Sequence, residues 1–434
     1  MTDDRPELSA WTPRNIYGLV ALALATGAGF IAMGSFGTVQ EGAKAELGLS
    51  DYAVSVVTGV SAAVPLALLS IPIGILVDRF ARVRLLILLA ALWTAGTLLT
   101  ALASDAQILF VARMMTATGT TGGLTAALSL SADLCRPQER GRATLVVTLG
   151  QRVGIAAAFG LAGWLFGQFV HDTIGGFGHA APWRRVHIAL AFVVGAMSLP
   201  LLFMREPERH EVESDTHAPF GVVFRELWAR RAFLIPLFAG QIGVVMADTA
   251  AAVWAPAVLS RNYGQHPQDF AGWLGLLIFG TGILGAVLGG VSADLGQKSA
   301  RRGRILLGAV IAAGIGIPAG LFPIMSDVTT LAVILGVLIT CGTITGIVVA
   351  IALTVLLPNE VRGLCIGLFI AIAGLIGYGL APGMVVWVSV RLGGEQHLGT
   401  ALAIVATVVS TLSFLAFAQA MRRAPVSATH AKPV

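Results

Sequence analysis

The sequence predicts an all-α membrane protein, with twelve transmembrane helices in two pseudo-symmetric six-helix bundles, and three observations carry that prediction. The 434 residues are 56% hydrophobic and 12% charged, with mean hydropathy +0.83, whereas a soluble protein carries about a quarter charged residues. The apolar residues fall in long runs with short charged punctuation, and at about 20 residues per span the chain holds roughly a dozen helices and no separate soluble domain. Two charged motifs of the first half also return at matching positions in the second.

In chain order the spans are expected at about 15–41, 52–77, 85–104, 108–132, 144–170, 185–204, 233–260, 270–293, 305–325, 329–357, 364–392 and 399–421. The second run begins near Tyr52 and is closed by Asp78, and Leu85 opens the third, so Asp78, Arg79, Arg82 and Arg84 mark a tight turn at a membrane surface. Pro137-Gln-Glu139-Arg140-Gly141-Arg142 separates the fourth run from the fifth. The longest polar segment, Arg205 to Arg231, holds Arg-Glu-Pro-Glu-Arg and a partly amphipathic stretch from Phe220 to Trp228. It divides the chain into an N-terminal bundle (1–204), a cytoplasmic linker (205–232) and a C-terminal bundle (233–434). Between the eighth and ninth runs, Gly289-Gly290, Ser292-Ala293-Asp294 and then Arg301, Arg302 and Arg304 repeat the 74–86 stretch over a longer loop. Pro358-Asn-Glu360-Val-Arg362-Gly363 echoes the segment after the fourth run. Repeats of this kind place a binding site at the interface between halves.

With both termini inside, about 21 Lys and Arg fall in inner loops and tails against about 5 outside, which sets the orientation. The formal charge of +5 therefore reflects membrane topology and lipid contact rather than nucleic acid. Cys135, Cys341 and Cys365 lie in or at the inner ends of spans, so no disulfide is expected. The opening MTDDRPELSAWTPRN lacks the layout of a cleaved signal, and the first span is expected to act as its own insertion signal. Short outer loops without an Asn-x-Ser/Thr acceptor favour a bacterial inner membrane, and a monomer is expected. No phosphate-binding Gly-x-x-x-x-Gly-Lys-Ser/Thr loop, His-Glu-x-x-His pair or cysteine knuckle is found, which argues against ATP as energy source, a metal site or an enzyme with a cofactor.

Gly74-Ile-Leu-Val-Asp78-Arg79-Phe-Ala-Arg82 resembles the Gly-x-Leu-x-Asp-Arg-x-x-Arg signature of the major facilitator superfamily, in its usual place between the second and third spans. Val253-Trp254-Ala-Pro256, Arg261-Asn-Tyr263-Gly264, the Gly-Gly-Val-Ser-Ala-Asp loop, Gly377-Tyr-Gly379-Leu-Ala-Pro382, Leu92-Trp93 and Gly48-Leu-Ser-Asp51 resemble its Spinster-type branch. That branch carries an Asp-Arg pair midway along the first span, where this chain reads Ala32-Met33, and a Gly-x-Gly-Glu-Ala run in the fourth, where it reads Ala117-Thr-Gly119-Thr120-Thr121. Two carboxylates associated with proton coupling are thus absent, and the likeness implies fold more than substrate. By resemblance, Asp78 faces the start of the eleventh span and Arg82 pairs with Asp133, locking the inner side. Gly74, Asp78, Arg79, Arg82, Asp133, Arg140, Arg142, Asp294, Glu360 and Arg362 form the expected gating set.

Two arginines lie within spans, Arg113 inside the outer end of the fourth and Arg152, preceded by Gln151, about two turns up from the inner end of the fifth. At mid-span an arginine costs about 2.5–3.5 kcal/mol on insertion scales, so each should face a cavity or a partner. Two cations and no histidine at mid-depth suggest an anionic substrate group, since guanidinium forks suit carboxylate and phosphate. The competing reading has them neutralised by Asp248 or Glu41 and serving packing. Asp248, the acid deepest within a span, and Glu41, at the outer end of the first, are the proton-coupling candidates. Gln241, Trp254 and Tyr378 are candidate cavity-lining residues, with interface anchoring the alternative for Trp254. Glycines at three- and four-residue spacing in the fifth span (Gly150, Gly154, Gly160, Gly163 and Gly167), and Gly374, Gly377 and Gly379 before Pro382, allow close helix approach and bending.

The expected function is secondary transport of a small organic anion or an amphiphile with an anionic head, with protons as a candidate coupling ion. Proton-driven efflux of lipophilic drugs is the second reading. A membrane enzyme would need a nucleophile and base that are not found, and a non-transporting sensor has only the missing carboxylates in its favour.

Overall fold

Hydrocarbon offers no partner for a backbone N–H or C=O, so an apolar run that enters it must satisfy its hydrogen bonds internally, as a helix. The computed structural model describes residues 12–173, 178, 180–207, 228–299, 301–357 and 359–425, and the side chains of 70, 71, 137, 359–364 and 366 are not described. Among the described residues there are helices and no strands. They are α1 (Pro13–Leu47), α2 (Asp51–Leu68), α3 (Ser70–Arg79), α4 (Arg82–Leu102), α5 (Ala106–Asp133), α6 (Arg140–Val170) and α7 (Pro182–Ser198). After the polar segment come α8 (Arg231–Tyr263), α9 (Pro267–Lys298), α10 (Leu307–Ala319), α11 (Val328–Leu356), α12 (Asn359–Arg391) and α13 (Leu398–Arg423).

Eleven of the described helical segments are long and apolar enough to cross a membrane. The expected fourth span, α5, has 28 residues but is less apolar, because Arg113, five threonines and three glycines occupy its middle. All five of those threonines turn their hydroxyls back to the carbonyl four residues earlier, at 2.8–3.1 Å, which hides most of that polarity. The expected second span departs further from its sequence reading as one run over 52–77. It is α2 and α3, interrupted at Leu69, and Val56–Val60 is wound as a π-helical turn. Pro65 lacks the N–H that would close the ladder behind it, and Ser55, Thr58 and Ser61 donate to the carbonyls of Tyr52, Val54 and Val57.

The chain forms two compact units. The first comprises, within the described residues, 12–49, 64–207 and 267–275; the second comprises 50–63, 228–266 and the residues from 276 onward. In the first, Leu22, Leu86, Trp93, Leu130 and Leu190 are buried in one core. There α1 and α6 approach backbone to backbone: a Cβ on Gly154 would lie 2.5 Å from Gly27 O, and one on Gly150 would overlap Ala23 O. In the second, Leu237, Leu306, Val348 and Phe417 are buried together. The exposed large side chains are mainly Leu, Ile, Val and Phe spread along the helices, such as Leu88, Phe192 and Leu276, which suits contact with lipid rather than water.

Two helix starts, those of α5 and α11, are capped by short acids. Asp105 Oδ1 accepts the N–H groups of Gln107 at 2.8 Å and Ile108 at 3.0 Å, and Asp327 accepts that of Thr330 at 2.8 Å. The backbone hydrogen bond from Ile108 holds the Asp105 carboxyl below its ordinary value, and that from Thr330 does the same for Asp327. A depressed folded value means that the cap is complete above about pH 4, the unfolded value, and is lost as pH falls through the folded one. Asp105→Ala is expected to speed hydrogen exchange at the Gln107 and Ile108 amides at neutral pH while leaving mid-helix amides of α5 unchanged; equal protection in both proteins would show that the cap contributes nothing.

Candidate functional site

In the first unit the turn between α3 and α4 is held by charge. Arg82 is buried, and its guanidinium pairs with Asp133 at the end of α5, donates to Ser129 Oγ at 3.3 Å and reaches Glu206 Oε1 at 3.4 Å. Glu206 also accepts the backbone N–H of Arg82 at 2.9 Å and of Val83 at 2.8 Å, so one carboxylate caps α4 and neutralises the arginine at its start. The Arg82–Asp133 pair is the one that the resemblance implies, whereas Glu206 was not singled out. Its signal in the sequence was a Glu-Pro immediately after the sixth run. Asp78, Arg79 and Arg142 are exposed, and Gly74, Asp133 and Arg140 are half-buried. Asp294, in the corresponding place of the second unit, is exposed. Glu360 and Arg362 lie outside the described side chains, and with them the start of the eleventh span that the resemblance sets opposite Asp78.

Arg113 and Arg152 part company. Arg113 is 7% exposed. It donates to Ala32 O at 3.2 Å and to Met33 O, and its guanidinium carbon stands 5.3 Å from the Phe36 ring centre. Those carbonyls belong to the dipeptide that stands where the Spinster-type branch has its Asp-Arg pair. Backbone oxygens of α1, rather than the carboxylates of the competing reading, thus accept from Nη1 and Nη2 of Arg113, while its Nε is enclosed without a partner among the described residues. His187 on α7, not named among the sequence candidates, is fully buried nearby against Phe36 and Trp183, with Nδ1 2.8 Å from Trp183 O and Nε2 without a partner among the described residues. Arg152 is exposed, and no carboxylate pairs with it among the described residues. It shares one line of α6 with Thr144 and Thr148 at four-residue spacing, with half-buried Gln151 beside it.

Within the second unit, Asp248 has Oδ1 enclosed and without a hydrogen-bond partner among the described residues. Gln241, one face further down α8, is buried with its Oε1 equally unpartnered, and Tyr378 is half-buried. Trp254 is fully buried and donates from Nε1 to Pro382 O at 3.1 Å. This corrects the interface-anchor reading: the indole is buried and joins α8 to α12 at the Pro382 carbonyl, and it is closed to ligand here. Glu41 is half-buried in α1.

A second ionic cluster joins residues quoted above only as branch matches. Asp51, wholly buried at the start of α2, receives both guanidinium nitrogens of Arg261 at 2.7 Å, and its N–H donates to Glu395 Oε1 at 2.9 Å. Two turns along, Gly59 in the π-helical turn lies against α12, where a Cβ would overlap Tyr378 O and sit 3.1 Å from Pro382 Cγ. Asp51 and Arg261 are some 200 residues apart, so nothing local in the sequence joins them.

Among the described residues, eleven helical segments long and apolar enough to cross a membrane support a multi-pass integral membrane protein. Residues 22–382 match the sequence profile of the Major Facilitator Superfamily, and the chain belongs to that superfamily. It is 29% identical over 368 residues to a probable 4-methylmuconolactone transporter of Cupriavidus pinatubonensis, covering 82% of this chain and 78% of that one. It is 29% identical to the 3-(3-hydroxy-phenyl)propionate transporter of Escherichia coli over about half of each chain (50% and 51%), and 25% identical to a probable sulfoacetate transporter of Cupriavidus necator over 63% of each. Among solved structures, a bacterial homologue of the human lysosomal transporter Spinster, inward-facing and unoccupied, shares the fold with TM-score 0.80 and 22% identity, over 95% of this chain and 99% of that one. The nucleoside transporter NupG matches with TM-score 0.73 and 12% identity, over 93% and 99% of the two chains.

Proposed function

We propose that this protein is a secondary transporter of a small organic anion or an amphiphile with an anionic head, working by rocker-switch alternating access. The observation that carries the reading is Arg152: an exposed guanidinium within a membrane helix, with no carboxylate partner among the described residues. Lipid contact would cost it about 2.5–3.5 kcal/mol, which favours an aqueous cavity and a ligand that brings the negative charge. Two relatives are named for sulfoacetate and a phenylpropionate, both organic anions, which supports the same class. Gln151, beside Arg152 in the chain, is proposed to orient the ligand, Tyr378 is a separate candidate in the second unit, and Gln241 and Trp254 become available only if helices shift. Arg113, whose Nη1 and Nη2 both donate to carbonyls of α1, is proposed to hold α1 to α5.

Residues 1–204 and 233–434 are proposed as the two rocking bundles, joined by 205–232, in a monomer of the bacterial inner membrane with both termini cytoplasmic. The gating set around Arg82 locks the inner side, and Asp248 and Glu41 are the carboxylates offered to a coupling cation, a proton in the simplest case. Proton-driven drug efflux would make both span arginines structural, which suits Arg113 and not Arg152. In proteoliposomes, Arg152→Ala is expected to abolish uptake of an organic acid such as 3-phenylpropionate, with Arg152→Lys retaining part of it. Wild-type uptake by a folded Arg152→Ala protein would remove Arg152 from the site.

A further inference from the structure

A carboxylate oxygen enclosed without a cation or donor is costly in a membrane interior; Asp248 is half-buried with Oδ1 so enclosed, and what surrounds it decides what it holds. Its carboxylate lies against α11 at Gly342, where a Cβ would overlap Oδ2 and push the carboxylate from its place. Next to it lies a cavity with about 10 Å³ of space for the centre of a water-sized sphere, the room of one water or one small ion. Thr345, Ser410, Ser413 and Cys341 contribute its polar wall. Thr345 Oγ1 donates its hydrogen to Gly342 O and Ser413 Oγ to Val409 O, each at 2.8 Å. With those hydrogens committed, both oxygens offer only lone pairs, as an ionised carboxylate does.

No lysine, arginine or histidine lines the cavity; the titratable groups facing Asp248 are Cys341 on α11 and Tyr378 on α12, while α10 and α13 present only apolar groups and hydroxyls. A wall of hard oxygen acceptors around one negative charge matches a small monovalent cation: a divalent ion would leave excess charge, and a larger one exceeds the space. We propose that this cavity is a sodium site, with Asp248 as the charged ligand, the hydroxyl oxygens of Thr345, Ser410 and Ser413 as neutral ones, and Gly342 as the positioning residue. The inference deepens the reading of Asp248 as the group that meets the coupling ion.

The test is thermal unfolding of the purified full-length protein in detergent, with sodium chloride exchanged for potassium or choline chloride at constant ionic strength and pH. Sodium is expected to raise the Tm saturably where potassium and choline do not. Asp248→Asn should abolish the response, and Ser410→Ala and Gly342→Ala should each shift half-saturation several-fold upward, which keeps the test decisive if the Asp248 variant fails to fold. A Tm that follows pH and ignores sodium would show that Asp248 takes a proton only, and a sodium response unchanged in these variants would place the ion elsewhere; either overturns the site. Arg152→Ala is expected to keep the sodium response while losing uptake, so this proposal and the anion reading fail separately.

Discussion

Arg261→Gln is expected to destabilise the second unit by about 3–5 kcal/mol, the range for removing one partner of a buried ion pair. Asp51 is wholly buried and Arg261 supplies two charge-assisted hydrogen bonds at 2.7 Å, while Glu395 brings a second carboxylate to the Asp51 N–H. Without the guanidinium, two acids face each other where water cannot reach one of them. Replacing both partners should cost less than replacing Arg261 alone, because Asp51→Asn removes the stranded charge. Thermal unfolding in detergent of the two single variants and the double variant decides this. A double variant less stable than Arg261→Gln would show that the pair contributes beyond charge compensation, and an unchanged Arg261→Gln protein would show that the pair is not formed.

The second large effect is expected at Gly150. A valine there puts its Cβ into the carbonyl of Ala23, and no side chain can swing aside because the obstacle is backbone. Overpacking of a yielding core costs about 1–3 kcal/mol, so Gly150→Val should exceed that range and part α1 from α6. Gly160→Ala, on the same helix with nothing within 4 Å of the added Cβ, is the control and should leave the protein intact. Size-exclusion profiles and Tm of the two variants check the contrast. A monodisperse Gly150→Val protein with the wild-type Tm would refute the backbone contact.

Much of the fold was legible because hydrocarbon imposes a length and a composition on whatever crosses it. The turn at Asp78 to Arg84 could be read for the same reason, since charge so dense must mark a surface, and the family resemblance implied the pairing of Arg82 with Asp133. Glu206 could not be read: its role arises where the chain leaves α7 and passes the start of α4, a meeting that spacing does not encode. α5 was read as a full span although its hydroxyl- and glycine-rich middle makes it the least apolar, and only its returned hydrogen bonds explain how it persists. The break at Leu69 and the π-helical turn had a cue in Pro65, but one proline does not say whether a helix kinks, breaks or rewinds.

The site divides along the same line. From the sequence came the residue types that a membrane tolerates only for a reason: Arg113, Arg152 and Asp248 each stood out by cost. Which reason applied was decided by neighbours. Arg113 found carbonyls of α1, Arg152 found no carboxylate, Asp248 found a glycine and a small cavity, and Trp254 found Pro382.

By itself the sequence determined the membrane, the helical class, the superfamily likeness and the list of polar side chains needing an explanation, because each follows from transfer energies that local composition sets. Tertiary structure alone decided the partners, joining Asp51 to Arg261 across about half of the chain and leaving Arg152 without an acid among the described residues, because hydrogen bonds and ion pairs act over a few ångströms and only the packed helices bring distant residues that close.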